Sequence, residues 1–293
     1  MIDRHLFLLL ISAWFAVPSA KAETVFGITF DGDLYSISTS DASSTLIGQG
    51  TYTGIVGGLE YDPASGDLLV LSAALGSPTG LYRVDPTTGT STEIGPTQIH
   101  SVFEGALQFA PGGVLYATNG YAAEGSETEL LMRINPNTGE VVSTTEFAAD
   151  VDINGLAWSG NQLLGIDARG NDLVTIDPDS AAVSVLTGLP RPAGSIGGMT
   201  NGPGGSGYLT ASGELFSFDL QTGHATSIGN TGLFLAGLAA APVAIPEPSS
   251  LPLLAILLAP LFYRGRHAIH RRGAVGSAGG GSLAERFGHH DPV

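Results

Sequence analysis

The stretch Leu81-Tyr82-Arg83-Val84-Asp85-Pro86 decides the fold, because related stretches recur along the chain. Each copy opens with leucine and alternates apolar with polar residues, and most copies close on Asp or Asn. The other copies are Leu34 to Ile37, Leu131 to Pro136, Leu173 to Pro178 and Leu215 to Asp219. Successive copies begin 47, 50, 42 and 42 residues apart. This spacing indicates one supersecondary unit present five times.

Three further strand-like elements accompany each copy. Within one repeat they are exemplified by Gly58 to Tyr61, Leu68 to Val70 and Ser91 to Gly95. Four strands in 40–50 residues are typical of a β-propeller blade. The fifth copy of the Leu68-like element is missing after Ala241 and stands instead at the N-terminus, as Val25 to Thr29. We therefore predict an all-β, five-bladed propeller of four antiparallel strands per blade. Its glycine-bearing strands should be innermost, and the N-terminal strand should close the last blade and remove a free sheet edge.

The turn after the repeated stretch reads Asp85-Pro86-Thr87-Thr88-Gly89 and recurs as Asn135 to Gly139 and, less completely, as Asp219 to Gly223. Asp or Asn accepts a backbone N–H, proline restricts φ and glycine adopts the left-handed conformation, so hairpin turns are expected here. The pattern Leu-Tyr-x-Ile-Asp-Pro-x-Thr-Gly resembles exported bacterial propellers with YVTN-like or quinoprotein-like repeats. The resemblance spans residues 24–241 and implies the fold, whereas function must be argued from sites.

The first 22 residues have the organisation of a secretory signal peptide. Arg4 precedes an apolar segment from Leu6 to Val17, and Ala20 and Ala22 supply the small residues of a cleavage site. The alternative is an uncleaved N-terminal anchor. A short hydrophobic helix is expected at each terminus, and the mature chain would begin at Glu23.

Near the C-terminus, Pro246, Glu247 and Pro248 precede an apolar run from Leu251 to Tyr263. An arginine cluster follows, made of Arg264, Arg266, Arg271 and Arg272. These three ordered elements resemble the PEP-CTERM sorting signal of bacterial exported proteins. The resemblance implies transient membrane anchoring through the apolar helix, cleavage by an exosortase-type enzyme and delivery to the cell surface, outer envelope or extracellular matrix. A plain tail anchor is the alternative.

The predicted organisation therefore has four parts. Residues 1–22 form the signal peptide, 23–242 the propeller, 243–272 the sorting signal and 273–293 a Gly- and Ser-containing disordered tail. Family signals usually end soon after the basic residues, so this tail departs from the pattern.

Composition narrows the classes of partner. The chain contains no cysteine, which excludes disulfides and thiolate chemistry. Between Glu23 and Pro246 there are 23 acidic residues, four arginines and no lysine. A nucleic-acid partner is therefore not expected, because phosphate binding needs clustered cations. Processing by a signal peptidase and an exosortase-type enzyme is expected, and a polysaccharide or a surface protein is the candidate ligand.

In this strand order the longer connections share one end of the ring, where a ligand site is expected. They comprise residues 49–56, 73–80, 96–104, 119–130, 146–154 and 188–196. The candidate ligand-binding residues on them are Tyr52, His100, Glu104, Tyr121, Asp150, Asp152 and Arg191. Alternatively, these are solvated loop residues without a ligand.

No cofactor is expected, although Asp150 and Asp152 could contribute to a loose calcium site. The segment from Asp150 to Gly155 matches the first six positions of an EF-hand loop. Asn161 stands at position twelve, where that loop needs a bidentate glutamate, and Gly155 is placed at the start of an inner strand. An EF-hand is therefore not predicted.

No catalytic residues are assigned. The body has two histidines, His100 and His224, which the topology places on opposite faces, and it has no Gly-x-Ser-x-Gly elbow. We interpret the chain as a non-catalytic binding or interaction module. The alternatives are a purely structural matrix component and an extracellular glycan hydrolase using Glu60, Glu104 or Asp152.

Overall fold

The computed structural model describes residues 24–73, 78–100, 105–120, 129–189, 196–202 and 205–240. All of them belong to the first of two units into which the chain divides, residues 1–243. The expected signal peptide, sorting signal and terminal helices lie outside the described residues. Within the part described, no helix is long and apolar enough to cross a membrane.

The described residues form twenty strands in five four-stranded antiparallel sheets, each of which is one blade. Blade 1 contains β4 (Ile55–Tyr61), β5 (Leu68–Ala73), β6 (Pro78–Val84) and β7 (Ser91–His100). Blade 2 contains β8 (Leu107–Phe109), β9 (Leu115–Thr118), β10 (Leu130–Ile134) and β11 (Val141–Glu146). Blade 3 contains β12 (Ile153–Ser159), β13 (Gln162–Asp167), β14 (Asp172–Ile176) and β15 (Val183–Gly188).

Blade 4 contains β16 (Ile196–Asn201), β17 (Ser206–Ala211), β18 (Glu214–Asp219) and β19 (Ala225–Asn230). Blade 5 is assembled from the two ends of the propeller. It contains β20 (Leu235–Ala240), β1 (Thr24–Thr29), β2 (Asp33–Ser38) and β3 (Ser44–Gln49), in that order from the axis outward.

The seam in blade 5 confirms the predicted closure. Strand β1 pairs antiparallel with β20, and Val25 lies opposite Ala240 while Ile28 lies opposite Gly237. Neither strand is left with an open edge at the seam, and unfolding there requires both ends of the propeller to separate.

Glycine permits the inner strands to approach one another around the axis, as predicted. A Cβ atom on Gly237 would lie 2.6 Å from the backbone nitrogen of Leu59 in the next blade, and one on Gly155 would lie 2.6 Å from the Cβ of Met199. The cavity left on the axis is only about 10 Å³ in volume, close to the smallest space that can hold one water molecule. Among the residues that the structure describes, the axis is therefore packed and leaves no ligand channel.

Five clusters of buried apolar side chains hold the ring together. Each cluster takes residues from two neighbouring blades, as where Leu164 of blade 3 and Leu209 of blade 4 share one cluster. The others are centred on the remaining four seams. Because each sheet buries both faces against its neighbours, the stability of a blade depends on the ring.

The hairpin turns between the third and fourth strands have a second role. Asp85 accepts backbone N–H bonds from Thr87 at 2.7 Å and Thr88 at 3.2 Å, which confirms the expected turn chemistry. Five equivalent residues have a left-handed conformation, namely Ala42, Gly89, Gly139, Ala181 and Gly223. Gly89 also packs on Gly48 of the preceding blade, where an added Cβ would meet backbone at 2.8 Å. These turns therefore contact a neighbouring blade.

Candidate functional site

The ring has two unlike ends. We call the end that carries the longer connections the loop face. The other end, which we call the turn face, carries the turns between the first and second strands and between the third and fourth strands of each blade. Inner strands begin at the loop face and end at the turn face. The sequence placed the candidate ligand residues on the loop face.

On the loop face, Tyr52 has a packing role. Its ring lies edge-on to Tyr82, with 5.3 Å between centroids, and contacts the positions where Gly32 and Gly50 lack side chains. Burial raises the pKa of Tyr52 to about 12. Of the other predicted residues, His100 ends β7, whereas Glu104, Tyr121 and Arg191 lie outside the described residues.

Asp150 and Asp152 are brought together with residues that the sequence did not single out. The carboxylate of Asp150 forms an ion pair with Arg169, and the backbone N–H of Asp152 donates to Asp167 at 2.9 Å. No group of three acidic or histidine side chains in the described ranges is arranged to hold a metal ion.

Glu129 is a buried carboxyl of this neighbourhood, with 8% of its surface exposed, the same fraction as Asp167. Its Oε1 accepts a 2.7 Å hydrogen bond from the backbone N–H of Ile153, at the start of the next blade's inner strand. Burial raises the pKa of Glu129 to about 8, the Ile153 bond opposes the rise, and the charges of Asp152 and Asp167 add to it. Glu129 therefore connects blades 2 and 3 as a largely protonated acid at neutral pH.

The turn face carries a wide groove of about 710 Å³ over blades 1 to 4, which we call the turn-face groove. Its walls are turns, and its floor contains the ends of inner strands. The groove is lined by residues from several blades, among them Asp62, Ala64, Gln108, Phe109, Asn137 and Trp158. The volume lies within the range of small-molecule sites in proteins.

A buried carboxyl lies directly behind this groove. Glu60, also 8% exposed, accepts a 3.4 Å hydrogen bond from the side-chain nitrogen of Gln108, which also donates to the carbonyl of Phe109 at 3.0 Å. Burial raises the pKa of Glu60 well above its usual value, opposed by the backbone N–H of Phe109. Glu60 is confirmed within an inner strand, but it does not line the groove.

Trp158 is held in a fixed orientation. Its indole stacks on Tyr116 with 5.9 Å between ring centroids, and the guanidinium of Arg133 lies 5.4 Å from the Tyr116 centroid. Asn201 of the next blade holds the Trp158 backbone by accepting from its N–H at 2.8 Å and donating to its carbonyl. The indole nitrogen is buried without a hydrogen-bond partner, and so is the Oε1 atom of Gln108.

The groove is acidic and lacks a free cation. Burial opposes ionisation of Asp62, but hydrogen bonds from Ser65 and Ala64 and the charge of Arg83 outweigh it and lower the pKa of Asp62. Each arginine in the described residues is ion-paired with aspartate: Arg83 with Asp62 and Asp67, Arg133 with Asp179, and Arg169 with Asp150. None of them lines the groove.

The groove has a sequence signal that a search for charged and polar loop residues misses. Phe109 and Trp158, which line the groove, stand at the same position of two successive repeats near the end of the inner strand, and Tyr61 of the preceding repeat stands at that position without lining the groove. Asn201 occupies that position in the fourth repeat. An aromatic residue in one column of adjacent blades predicts a cluster at one face of the ring.

Of the three carboxyls proposed for hydrolysis, Glu104 lies outside the described residues, and Glu60 and Asp152 are not brought together. Glu60 is near the turn-face end of β4, whereas Asp152 precedes β12 at the loop face. At about 3.3 Å per residue, the equivalent of five residues separates them by roughly 16 Å along the axis. Glycosidase carboxyls lie about 5–9.5 Å apart. Glu60 and Asp152 therefore do not form a catalytic pair.

Comparison with solved structures gives distant likenesses. A chain in the "Crystal structure of Nidogen/Laminin Complex" is 16% identical with a TM-score of 0.47, covering 74% of this chain and 85% of that one. A protein of unknown function from Bacteroides caccae is 13% identical with a TM-score of 0.47, covering 74% of this chain and 86% of that one. Neither likeness bears on function. No curated protein matches the sequence.

A family model matches residues 32–233, which is most of the chain and nearly all of the propeller. The model is described as a repeat of unknown function, DUF6923. Its limits fall within the segment between β1 and β20, the two strands that form the seam. This β-propeller chain therefore belongs to the DUF6923 repeat family.

Proposed function

We propose that the protein is an exported, non-catalytic binding module of the cell surface or extracellular matrix. A signal peptidase would remove residues 1–22, and an exosortase-type enzyme would cut near Pro246 to Pro248. The proposed location rests on the resemblance of the two ends of the chain to export and sorting signals. The activity rests on the propeller between them.

The turn-face groove is the observation that supports binding. It is a preformed concave surface on a rigid ring, lined by the aromatic residues Phe109 and Trp158 and by polar residues that include Asn137. Ligand sites are typically concave and mostly apolar with a few polar groups, and this surface has that character. Within the described residues, the packed axis offers no comparable space for a ligand.

A glycan hydrolase is the second candidate function. The raised pKa of Glu60 favours it, because burial makes the carboxyl hold its proton more tightly and a general acid must carry a proton. A binding module is preferred because Glu60 lies behind the groove lining and its carboxyl is occupied by Gln108.

Export and processing can be tested by intact-mass analysis of protein recovered from the surface and medium of producing cells. The expected species begins at Glu23 and ends near Pro246. A mature pool that retains Leu251 to Val293 would instead identify a tail-anchored protein, and one that retains residues 1–22 would identify an N-terminal anchor.

Rebinding tests the activity. Mature protein added to producing cells that lack their own copy should bind saturably, with no release of sugar fragments from the surface material. Failure to bind would contradict a binding module. Fragment release that is lost in Glu60→Gln would establish the hydrolase instead.

A further inference from the structure

We propose that the turn-face groove binds a neutral carbohydrate chain. The proposal rests on the proposed function, since it names the ligand class of that surface. Three properties of the groove lead to it: rigid aromatic and proline surfaces, polar atoms of both hydrogen-bonding types, and the absence of a free cation.

The apolar part of the groove is rigid before any ligand binds. Trp158 is fixed by stacking on Tyr116 and by the two backbone bonds to Asn201. The turns that form the rim contain Pro63, Pro111 and Pro136, each with a restricted φ. A sugar ring presents a face of C–H groups that packs on such flat surfaces, and a rigid site loses little conformational entropy when it binds.

The polar part suits hydroxyl groups. Asn137 places an exposed side-chain amide on the rim, which offers both a donor and an acceptor. A hydroxyl group also donates and accepts, so one kind of ligand group can satisfy both atoms of this amide.

Charge selects a neutral ligand over an ionic one. The lining contains no lysine or arginine; Arg83 is paired with Asp62 of the lining and with Asp67, whereas Arg133 and Arg169 are paired with aspartates outside it. Within the described residues an anionic polymer would therefore meet no unpaired countercharge, and the body of the protein is itself strongly acidic. The one carboxylate of the lining, Asp62, already accepts from Ala64, Ser65 and Arg83, so it is poorly placed to select a cationic peptide.

The first experiment uses the mature protein and surface material of producing cells. Periodate oxidation, which cleaves vicinal diols of sugars, should abolish rebinding, whereas protease digestion of the surface should leave it unchanged. Binding should change less than about twofold between 50 and 500 mM NaCl, because screening affects ionic contacts. Sensitivity to protease, resistance to periodate, or a steep loss with salt would each overturn the proposal while the protein remains a binding module.

The second experiment locates the site through its own fluorophore. The chain has two tryptophans, Trp14 and Trp158, and the predicted signal cleavage removes Trp14. Neutral polysaccharide fragments purified from the protease-treated surface material should shift the emission of Trp158 saturably, whereas oligogalacturonate should not. Absence of a shift at concentrations that block rebinding would overturn the assignment to this groove.

Two variants and two matched controls complete the test. Ala64→Phe fills the groove from an exposed turn and should weaken binding at least about tenfold, and Asn137→Ala should weaken it about three- to tenfold. Gln221→Ala changes the equivalent exposed turn position of blade 4, and Phe234→Ala removes a phenyl ring that is 73% exposed near the loop-face start of β20. Both controls should bind as the unchanged protein does. Equal binding by all four variants would overturn the proposal.

Discussion

Glu60 and Glu129 are equally buried glutamates at opposite ends of the ring, yet their surroundings differ. Glu129 accepts a 2.7 Å bond from the backbone of the next blade, whereas Glu60 accepts a 3.4 Å bond from the side chain of Gln108. A backbone N–H cannot turn away when its partner is lost, but a side-chain amide can. The comparison teaches that burial alone does not define a role: Glu129 joins blades, and Glu60 supports the floor of a groove.

The largest expected effect is the pH dependence that Glu129 imposes on stability. Its pKa is about 8 in the folded protein and near 4.5 when unfolded, so the folded state holds the proton more tightly. Its contribution is fully present below pH 4.5 and is lost as pH rises to about 8. Glu129→Gln removes this pH dependence. Its free energy of unfolding should therefore exceed that of the unchanged protein by more at pH 8.5 than at pH 5, and this increase should be on the order of a few kcal/mol.

Urea unfolding of the mature protein at both pH values measures this effect. Glu146→Gln, an exposed change on the neighbouring strand β11, is the control and should follow the unchanged protein. If Glu129→Gln shows the same pH dependence as the control, Glu129 does not carry the buried proton.

The next effect separates the two glutamates at a single pH. At pH 6, Glu129→Leu should lower the free energy of unfolding by about 2 kcal/mol, because the buried N–H of Ile153 loses its acceptor. Glu60→Leu should cost less than about 1 kcal/mol, since Gln108 keeps its bond to the Phe109 carbonyl. Urea midpoints of the two variants give the comparison, and equal losses would show that burial, rather than the partner, sets the cost.

The smallest effect concerns Asp62, which shares the turn face with Glu60 but has a lowered pKa. A lowered carboxyl pKa stabilises the fold above the unfolded value of 3.8, and this contribution is lost as pH falls through the folded pKa. Asp62→Asn should cost under about 1 kcal/mol at pH 7, with the difference vanishing in acid. Thermal unfolding at pH 7 and pH 2.5 tests this, and a difference that persists in acid would show that ionisation is not its source.

Much of the architecture could be predicted from local patterns. The five copies of the Leu81-like stretch and the displaced Val25 to Thr29 predicted the number of blades and the seam, and β1 pairs with β20 as expected. The Asp85 turn was predicted as hairpin chemistry, and its contact with Gly48 in another blade was not. That contact joins residues about 40 positions apart, so no local pattern contains it.

The site was less predictable. Tyr52 packs against Tyr82 and Asp150 is paired with Arg169, contacts that the sequence does not reveal, and a ligand role for either residue stays a prediction. The sequence does not single out Gln108 and Glu129, because the residues around a polar side chain do not indicate whether the fold will bury it. Burial of that kind depends on which neighbouring blade covers the side chain.

The repeat, the strand order and the closure follow from local sequence patterns, because strand periodicity and turn chemistry act over a few residues at a time. The folded ring, in contrast, brings the aromatic side chains of Phe109 and Trp158 into the lining of one groove. Those groups come from separate blades, and their environment exists only once the ring has closed.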